Sequence, residues 1–282
     1  MDLREWSLIL FTVLTQASVG AFLFTLWFEQ RSKETAARQA YQRLHGVLIP
    51  VMIVALLASL GHLGRPMQAL SSLGNLGTSW LSREIFFTGG FFVLLVLMVL
   101  LKRNDGVRRV LAWLTGLAGV AAVISMAMIY HMSIMPAWQG YGTFVAFGGT
   151  TFFLGAALAA VVLLGRAYQD QARDLRSLAW TAVVVALIEA ALVPLQMAAL
   201  AGGSEAAQAT AALLAGPYAW LVILRWALAL IVGVVVLLAA IRRLAMQQVP
   251  GSLFYVACLA ILVSEIAGRY LFYATAVPLG IG

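Results

Sequence analysis

The sequence predicts an all-α integral membrane protein built as a bundle of eight transmembrane helices. Three observations carry that prediction. Hydrophobic residues make up 63% of the 282 residues and charged residues only 10%, with a mean hydropathy of +0.96, which leaves too little polar surface to coat a water-soluble globule. The apolar residues gather into eight stretches, each close to the roughly 20 residues that a helix needs to cross a hydrocarbon core of about 30 Å. These stretches are long and rich in Leu, Ala and Val, unlike the short alternating strands of an outer-membrane barrel, so helices that close their own backbone hydrogen bonds fit them better.

Taken in order, the spans run approximately from Trp6 to Phe28, Gly46 to Leu63, Ile85 to Leu101, Val107 to Met132, Thr143 to Leu164, Leu178 to Leu200, Ala219 to Ile241 and Leu253 to Val277. The first follows the acidic-leaning "MDLREW" and is too long for a signal-peptide core, without a small-residue cleavage site, so it is expected to be a retained span. No connection is long enough for a separate domain, and residues 1–282 read as one transmembrane unit. The connection "AGGSEAAQATAALLAGPYA" at 201–219 is rich in small residues and has room for a short interfacial helix. No internal repeat stands out.

Charge sets the expected orientation. Of the 18 Lys and Arg residues, thirteen follow odd-numbered spans: Arg31, Lys33, Arg38, Arg43, Lys102, Arg103, Arg108, Arg109, Arg166, Arg173, Arg176, Arg242 and Arg243. Arg4, Arg65 and Arg83 lie on the other side, and Arg225 and Arg269 lie within spans. By the positive-inside rule both termini are outside, which for a bacterial inner (cytoplasmic) membrane means the periplasm. The net charge of +7 therefore reports topology, and no nucleic-acid partner is implied. Cys258 is the single cysteine, so a disulfide is excluded and any iron–sulfur cluster must belong to a partner subunit.

Ionisable groups at membrane depth are costly and mark candidate sites. His62 ends the second span and Glu84 begins the third, both near the outer surface, and Arg225 comes early in the seventh span. Glu265 and Arg269 are spaced i, i+4 in the eighth, close enough to pair on one helix face. Gln196 is also in an outer half-span, Glu189 is nearer the midplane, and the inner halves read as nearly empty of titratable groups. A proton pump would string such groups across the whole thickness. A pocket for a lipophilic molecule with polar ends fits better, and a quinol is the obvious ligand. His62 has the chemistry to accept a quinol proton near neutral pH, with Glu84 orienting it or passing protons on.

Structural alternatives stand beside each of these readings. Glu265 and Arg269 make an equally good structural ion pair, Arg225 can snorkel to the interface, and Trp80 and Trp138 fit an aromatic belt. Pro194 is a candidate kink near Glu189, and Arg65 and Arg83 are cations at a boundary where cations are ordinary. Haem would need paired axial histidines, from His45, His62 and His131. His45 and His62 are about 25 Å apart at about 1.5 Å per helical residue and cannot share an iron. His62 and His131 share the outer face, but at helix ends rather than within helices, so no haem is expected in this protein.

The segment "HLGRPMQALSSLGNLGTSWLSREI" at 62–85, the opening "REWSLILFTVLTQASVGAF", "YHMSIMPAWQ" and "SEIAGRYLFY" together resemble the DmsC family, the membrane-anchor subunits of dimethyl sulfoxide reductase-type molybdoenzymes. The resemblance covers essentially the whole sequence. It implies eight helices, both termini outside and no haem. It also implies a three-subunit complex for anaerobic respiration, in which this subunit oxidises menaquinol and passes electrons to an iron–sulfur subunit and on to a molybdopterin catalytic subunit. The family's quinol-site histidine matches His62 and its acidic partner matches Glu84. Here "LSREI" places Arg83 where the family has Asn. Arg65, Arg225, Glu265 and Arg269 complete the expected quinol pocket, which holds no metal. Oxidising quinol and using its electrons on one face would move no charge across the membrane. Within the family, electron flow toward quinone, as in a sulfite or other sulfur-compound dehydrogenase, is the alternative. Outside it, a secondary transporter with a midplane site at Glu189 or a purely structural anchor remain open.

Overall fold

The computed structural model describes residues 3–32, 34–62, 71–101 and 105–280, without the side chains of Leu3, Arg4, His62, Ser71 and Ser72. The described residues are helical nearly throughout: α1 (Leu3–Arg31), α2 (Thr35–His62), α3 (Trp80–Leu100), α4 (Asp105–His131), α5 (Tyr141–Leu164), α6 (Gln171–Ala201), α7 (Glu205–Ala215), α8 (Ala219–Trp226), α9 (Val235–Ala245) and α10 (Gly251–Ala274). A π-helical stretch, Ala227–Val234, joins α8 to α9 into one span. Among the described residues eight helices are long and apolar enough to cross a membrane, and α7 occupies the connection expected to hold a short helix.

Several helices begin earlier than their apolar stretches. α2 starts eleven residues before Gly46, at Thr35, because Ala37, Ala40, Tyr41 and Leu44 bury one face of its first turns. α6 likewise starts at Gln171, where Leu175 is buried. α3 starts at Trp80 because the Ser79 side chain accepts a hydrogen bond from the Ser82 N–H, capping the first turn at 3.3 Å.

The helices alternate in direction, which collects the two termini at one end and most cations at the other. At the terminal end, Trp6 packs on Tyr270 with ring centroids 5.8 Å apart, and the Leu279 N–H bonds the Ile134 carbonyl. At the basic end, Arg108 of α4 pairs with Glu29 of α1. The core runs down the middle, where α1 packs against α2, α4 and α5. At the α1–α5 crossing the backbones approach closely, since a Cβ on Gly155 would lie 2.6 Å from the Gly20 Cα. Between helices in lipid the hydrophobic effect gives no net drive, so such close backbone approach supplies the packing.

The basic end carries titratable groups at or just beyond the limits of the expected spans. Glu29, Arg108, His45, Asp174 and Tyr41 all turn inward there. Tyr41 donates to Asp174 across α2 and α6 at 2.5 Å, and Tyr168, between α5 and α6, donates to the same carboxylate at 3.1 Å. Burial, reinforced by that carboxylate, holds the Tyr168 phenol above its ordinary pKa, so it remains a donor. In sequence these residues flank polar connections, where Arg108 counts only toward orientation and the others carry no signal of pairing.

Candidate functional site

Between α5, α6, α7, α8 and α10 lies a cavity of about 550 Å³, a size suited to a small-molecule headgroup. Its walls are largely hydrocarbon and aromatic, including Val193, Met197, Trp226 and Phe272. Four charged side chains enter it: Glu189 from α6, Arg225 from α8, and Glu265 and Arg269 from α10. The carboxylates and Arg269 are at most 6% exposed, and such charges persist at this depth only by pairing.

Arg225 joins the two carboxylates, with Nη2 3.4 Å from Glu189 and 4.0 Å from Glu265. Glu265 also accepts from the Thr150 hydroxyl of α5. That hydroxyl accepts in turn from Arg269 at 3.3 Å, and Arg269 donates to Gln16 of α1 at 2.8 Å. The Arg269 guanidinium lies 3.8 Å from the centroid of the Phe147 ring. Two carboxylates and two guanidiniums balance formally, yet the set is incompletely bonded. Glu189 Oε1, Arg225 Nε, Arg269 Nη1 and Gln16 Nε2 are buried without partners. Three of these four atoms belong to residues that line the cavity.

Local features make room for this arrangement. A Cβ on Gly149 would overlap the Glu189 carboxylate, and one on Gly268 would come within 2.7 Å of the Arg225 guanidinium. The π-helical stretch begins two residues after Arg225. A change from α to π bonding leaves a carbonyl over at the junction, and the Ser264 hydroxyl donates to the Arg225 carbonyl at 3.0 Å.

The structure brings together Arg225, Glu265 and Arg269 of the expected set, and adds Glu189 and Gln196 to the same cavity. The expected Glu265–Arg269 pair is replaced. Among the described residues Glu265 has Arg225 as its ion-pair partner, because Arg269 reaches away to Gln16 and across Phe147. Glu84 does not line the cavity. It is buried in the first turns of α3. Tyr130 of α4 and Tyr273 of α10 meet through their phenols. Those two hydroxyls lie 3.0 Å apart. Tyr130 also packs on Trp138, Phe147 and Phe272, and Trp138 and Phe272 line the cavity. The His62 side chain and Arg65 lie outside the described residues.

Other candidates lie outside this cavity or hold its frame. Arg83 donates to the carbonyls of Leu76 and Gly77 at 2.8 and 2.7 Å and lies over the Trp80 ring, pinning the turn before α3. Trp138 stacks on Phe272 and donates to the Phe272 carbonyl at 2.8 Å. It thus fastens a short helical turn at Pro136–Trp138 to α10 while lining the cavity. His45 sits 2.7 Å from the Thr25 hydroxyl, and His131 packs on Phe144. Among the described residues no three His, Cys, Asp or Glu side chains gather as metal ligands. Gln16, Thr150, Gly149 and Gly268 escaped the sequence reading. Nothing in a single sequence separates such uncharged residues from the many Thr, Gln and Gly that only pack.

An eight-span helical bundle enclosing a charged cavity walled by hydrocarbon defines a multi-pass membrane protein. The protein belongs to the DmsC family, the DMSO reductase anchor subunits, which it matches over residues 1–275. It is 30% identical over 278 residues to the C subunit of anaerobic dimethyl sulfoxide reductase from Haemophilus influenzae, covering 96% of the present sequence and 94% of that relative. To the YnfH subunit of anaerobic dimethyl sulfoxide reductase from Escherichia coli K12 it is 30% identical over 285 residues, covering 98% and 96% respectively. The C subunit from the same organism is 29% identical over 283 residues, with the same coverage.

Proposed function

We propose that this protein anchors a molybdopterin oxidoreductase complex in the bacterial inner membrane and oxidises menaquinol near the periplasmic face, handing electrons to an iron–sulfur subunit. The two carboxylates and two guanidiniums gathered in the α5–α6–α8–α10 cavity carry the reading. A quinol hydroxyl is a donor and a quinone carbonyl an acceptor, and the lining side chains have both complements: the Glu189 carboxylate for the hydroxyl, the Arg225 and Arg269 guanidiniums for the carbonyl. The apolar walls suit the ring and its tail.

Oxidation of one quinol releases two electrons and two protons. Glu189 accepts the first proton in this reading, and Glu265, joined to it through Arg225, offers the second carboxylate. The guanidiniums hold the negative charge that develops on the headgroup oxygen as its proton leaves. The electrons pass to the iron–sulfur partner and then to the molybdopterin subunit, so the protons and electrons leave on one face and the step is electroneutral.

His62 with Glu84 is the second candidate seat, supported by the family resemblance and by one feature of Glu84. Its carboxylate is buried, and it has no hydrogen bond or ion pair among the described residues. The test is quinol-dependent electron transfer in membranes carrying the assembled complex, comparing the native protein, Glu189→Gln and Glu84→Gln, with assembly checked by blot and the catalytic subunit checked with an artificial donor. Loss of quinol oxidation in Glu189→Gln alone supports the cavity. Loss in Glu84→Gln alone moves the headgroup to the His62 side.

A further inference from the structure

The basic end of the bundle holds a second cavity, of about 330 Å³, lined by Gln39, Gln42, Arg43 and His45 of α2, the last turns of α3 and Arg108 of α4. Its chemistry is the reverse of the first, with a lining dominated by amide, imidazole and guanidinium groups. Gln39, Gln42 and Arg43 recur at i, i+3 and i+4 and so share one face of α2. Arg43 and Arg108 differ in their pairing. Glu29 takes one N–H of Arg108 and balances its charge, whereas Arg43 has no ion-pair partner among the described residues. The lining therefore carries one uncompensated positive charge.

His45 supplies an independent observation. It is 1% exposed, it is among the residues that line the cavity, and its Nδ1 is buried without a partner. The Thr25 hydroxyl donates to the Phe22 carbonyl at 2.8 Å, so in its 2.7 Å contact with His45 it is the acceptor and Nε2 carries the proton. In the neutral ring Nδ1 then presents a lone pair that needs a donor. A ligand fitting this cavity has anionic oxygens for the arginines and an O–H for the imidazole. Phosphate chemistry has both, as hydrogen phosphate or as the phosphoglycerol headgroup of an anionic lipid. Chloride and carboxylate ions lack the hydroxyl. The cavity sits where α3 ends and α4 begins, among the cations that mark a bilayer edge.

We infer that this basic cavity is a binding site for a hydroxyl-bearing phosphate oxyanion, with Arg43 and Arg108 as donors and His45 Nδ1 as the acceptor for its hydroxyl.

The test uses the full-length protein, purified in dodecyl maltoside and stripped of lipid, with binding read by isothermal titration calorimetry in sodium chloride. The probes are dioctanoyl phosphatidylglycerol, dioctanoyl phosphatidylcholine and inorganic phosphate. Saturable binding of phosphatidylglycerol alone assigns a lipid headgroup, and binding of inorganic phosphate assigns a free anion; either supports the site. Arg43 is exposed, so Arg43→Gln keeps the fold, and it is expected to weaken the bound probe roughly tenfold. Arg242→Gln, which removes another exposed cation from the same end, is expected to leave it unchanged. Absence of saturable binding by either probe, equal binding of phosphatidylcholine, or equal weakening by Arg242→Gln would overturn the proposal.

Discussion

The Glu189 carboxylate occupies the space that a Cβ on Gly149 would fill. Two helices, α5 and α6, thereby place an acid inside an apolar cavity, and the missing methyl group is as necessary to that placement as the acid itself. Gly149→Ala is expected to push the carboxylate off Arg225 and lower quinol-dependent turnover about tenfold, in line with the cost of misplacing a reacting group. Combining it with Glu189→Asp, one methylene shorter, is expected to recover part of the loss. No recovery in steady-state rates would mean that Gly149 serves the packing of α5 alone.

Glu189→Gln keeps the shape and removes the proton acceptor. Quinol oxidation is expected to fall by at least about 100-fold, the usual weight of general-base catalysis, while reduction of the complex by an artificial donor stays at native level. Arg225→Gln removes the bridge between two carboxylates and is expected to damage both turnover and apparent quinol affinity. A variant that loses turnover with both donors would point to lost assembly instead.

The Tyr130 and Tyr273 hydroxyls lie 3.0 Å apart, beside Phe272 of the cavity wall. If the headgroup sits in the cavity, His62→Ala and Glu84→Gln are expected to slow quinol oxidation less than Glu189→Gln, and Tyr273→Phe less still. Measuring the four variants in one membrane preparation ranks the two seats directly, and a larger loss in His62→Ala reverses the assignment.

Arg108 and Glu29 form a buried pair at the basic end. Arg108→Leu strands the carboxylate and is expected to cost about 3–5 kcal/mol, whereas Arg108→Leu with Glu29→Leu removes both charges and is expected to cost far less. Thermal unfolding in detergent compares them. Equal losses would show that packing, not charge, matters there.

Orientation is checked by labelling. In a Cys258→Ser background, Ala209→Cys on α7 is expected to react with a membrane-impermeant maleimide in intact cells, and Gln248→Cys, after α9, only after lysis. The opposite pattern would invert the bundle and move the proposed quinol site to the cytoplasmic side.

The span count, the short interfacial helix at 205–215 and the polar segment before the third span were legible in the sequence. Bilayer thickness fixes the length of an apolar helix, and the "HLG…LSREI" segment carries a long pattern of its own. The helix starts were less legible. Tyr41 and Leu44 extend α2 by burying one face of a segment whose other face is polar, so hydropathy averaged over that segment hides it.

The class of fold, the expected orientation and the presence of Arg225, Glu265 and Arg269 within the membrane thus follow from the order of residues along the sequence. It took the packed bundle to establish that Glu265 pairs with Arg225 rather than with Arg269 one turn away, that Glu189 joins them, and that Thr150, Gln16, Gly149 and Gly268 complete the setting. The reason is geometric. A soluble helix announces its inward face by amphipathicity, but a helix in lipid is apolar on both faces. Its rotation and register are set by contacts such as Gly20 on Gly155, made with residues more than a hundred positions away.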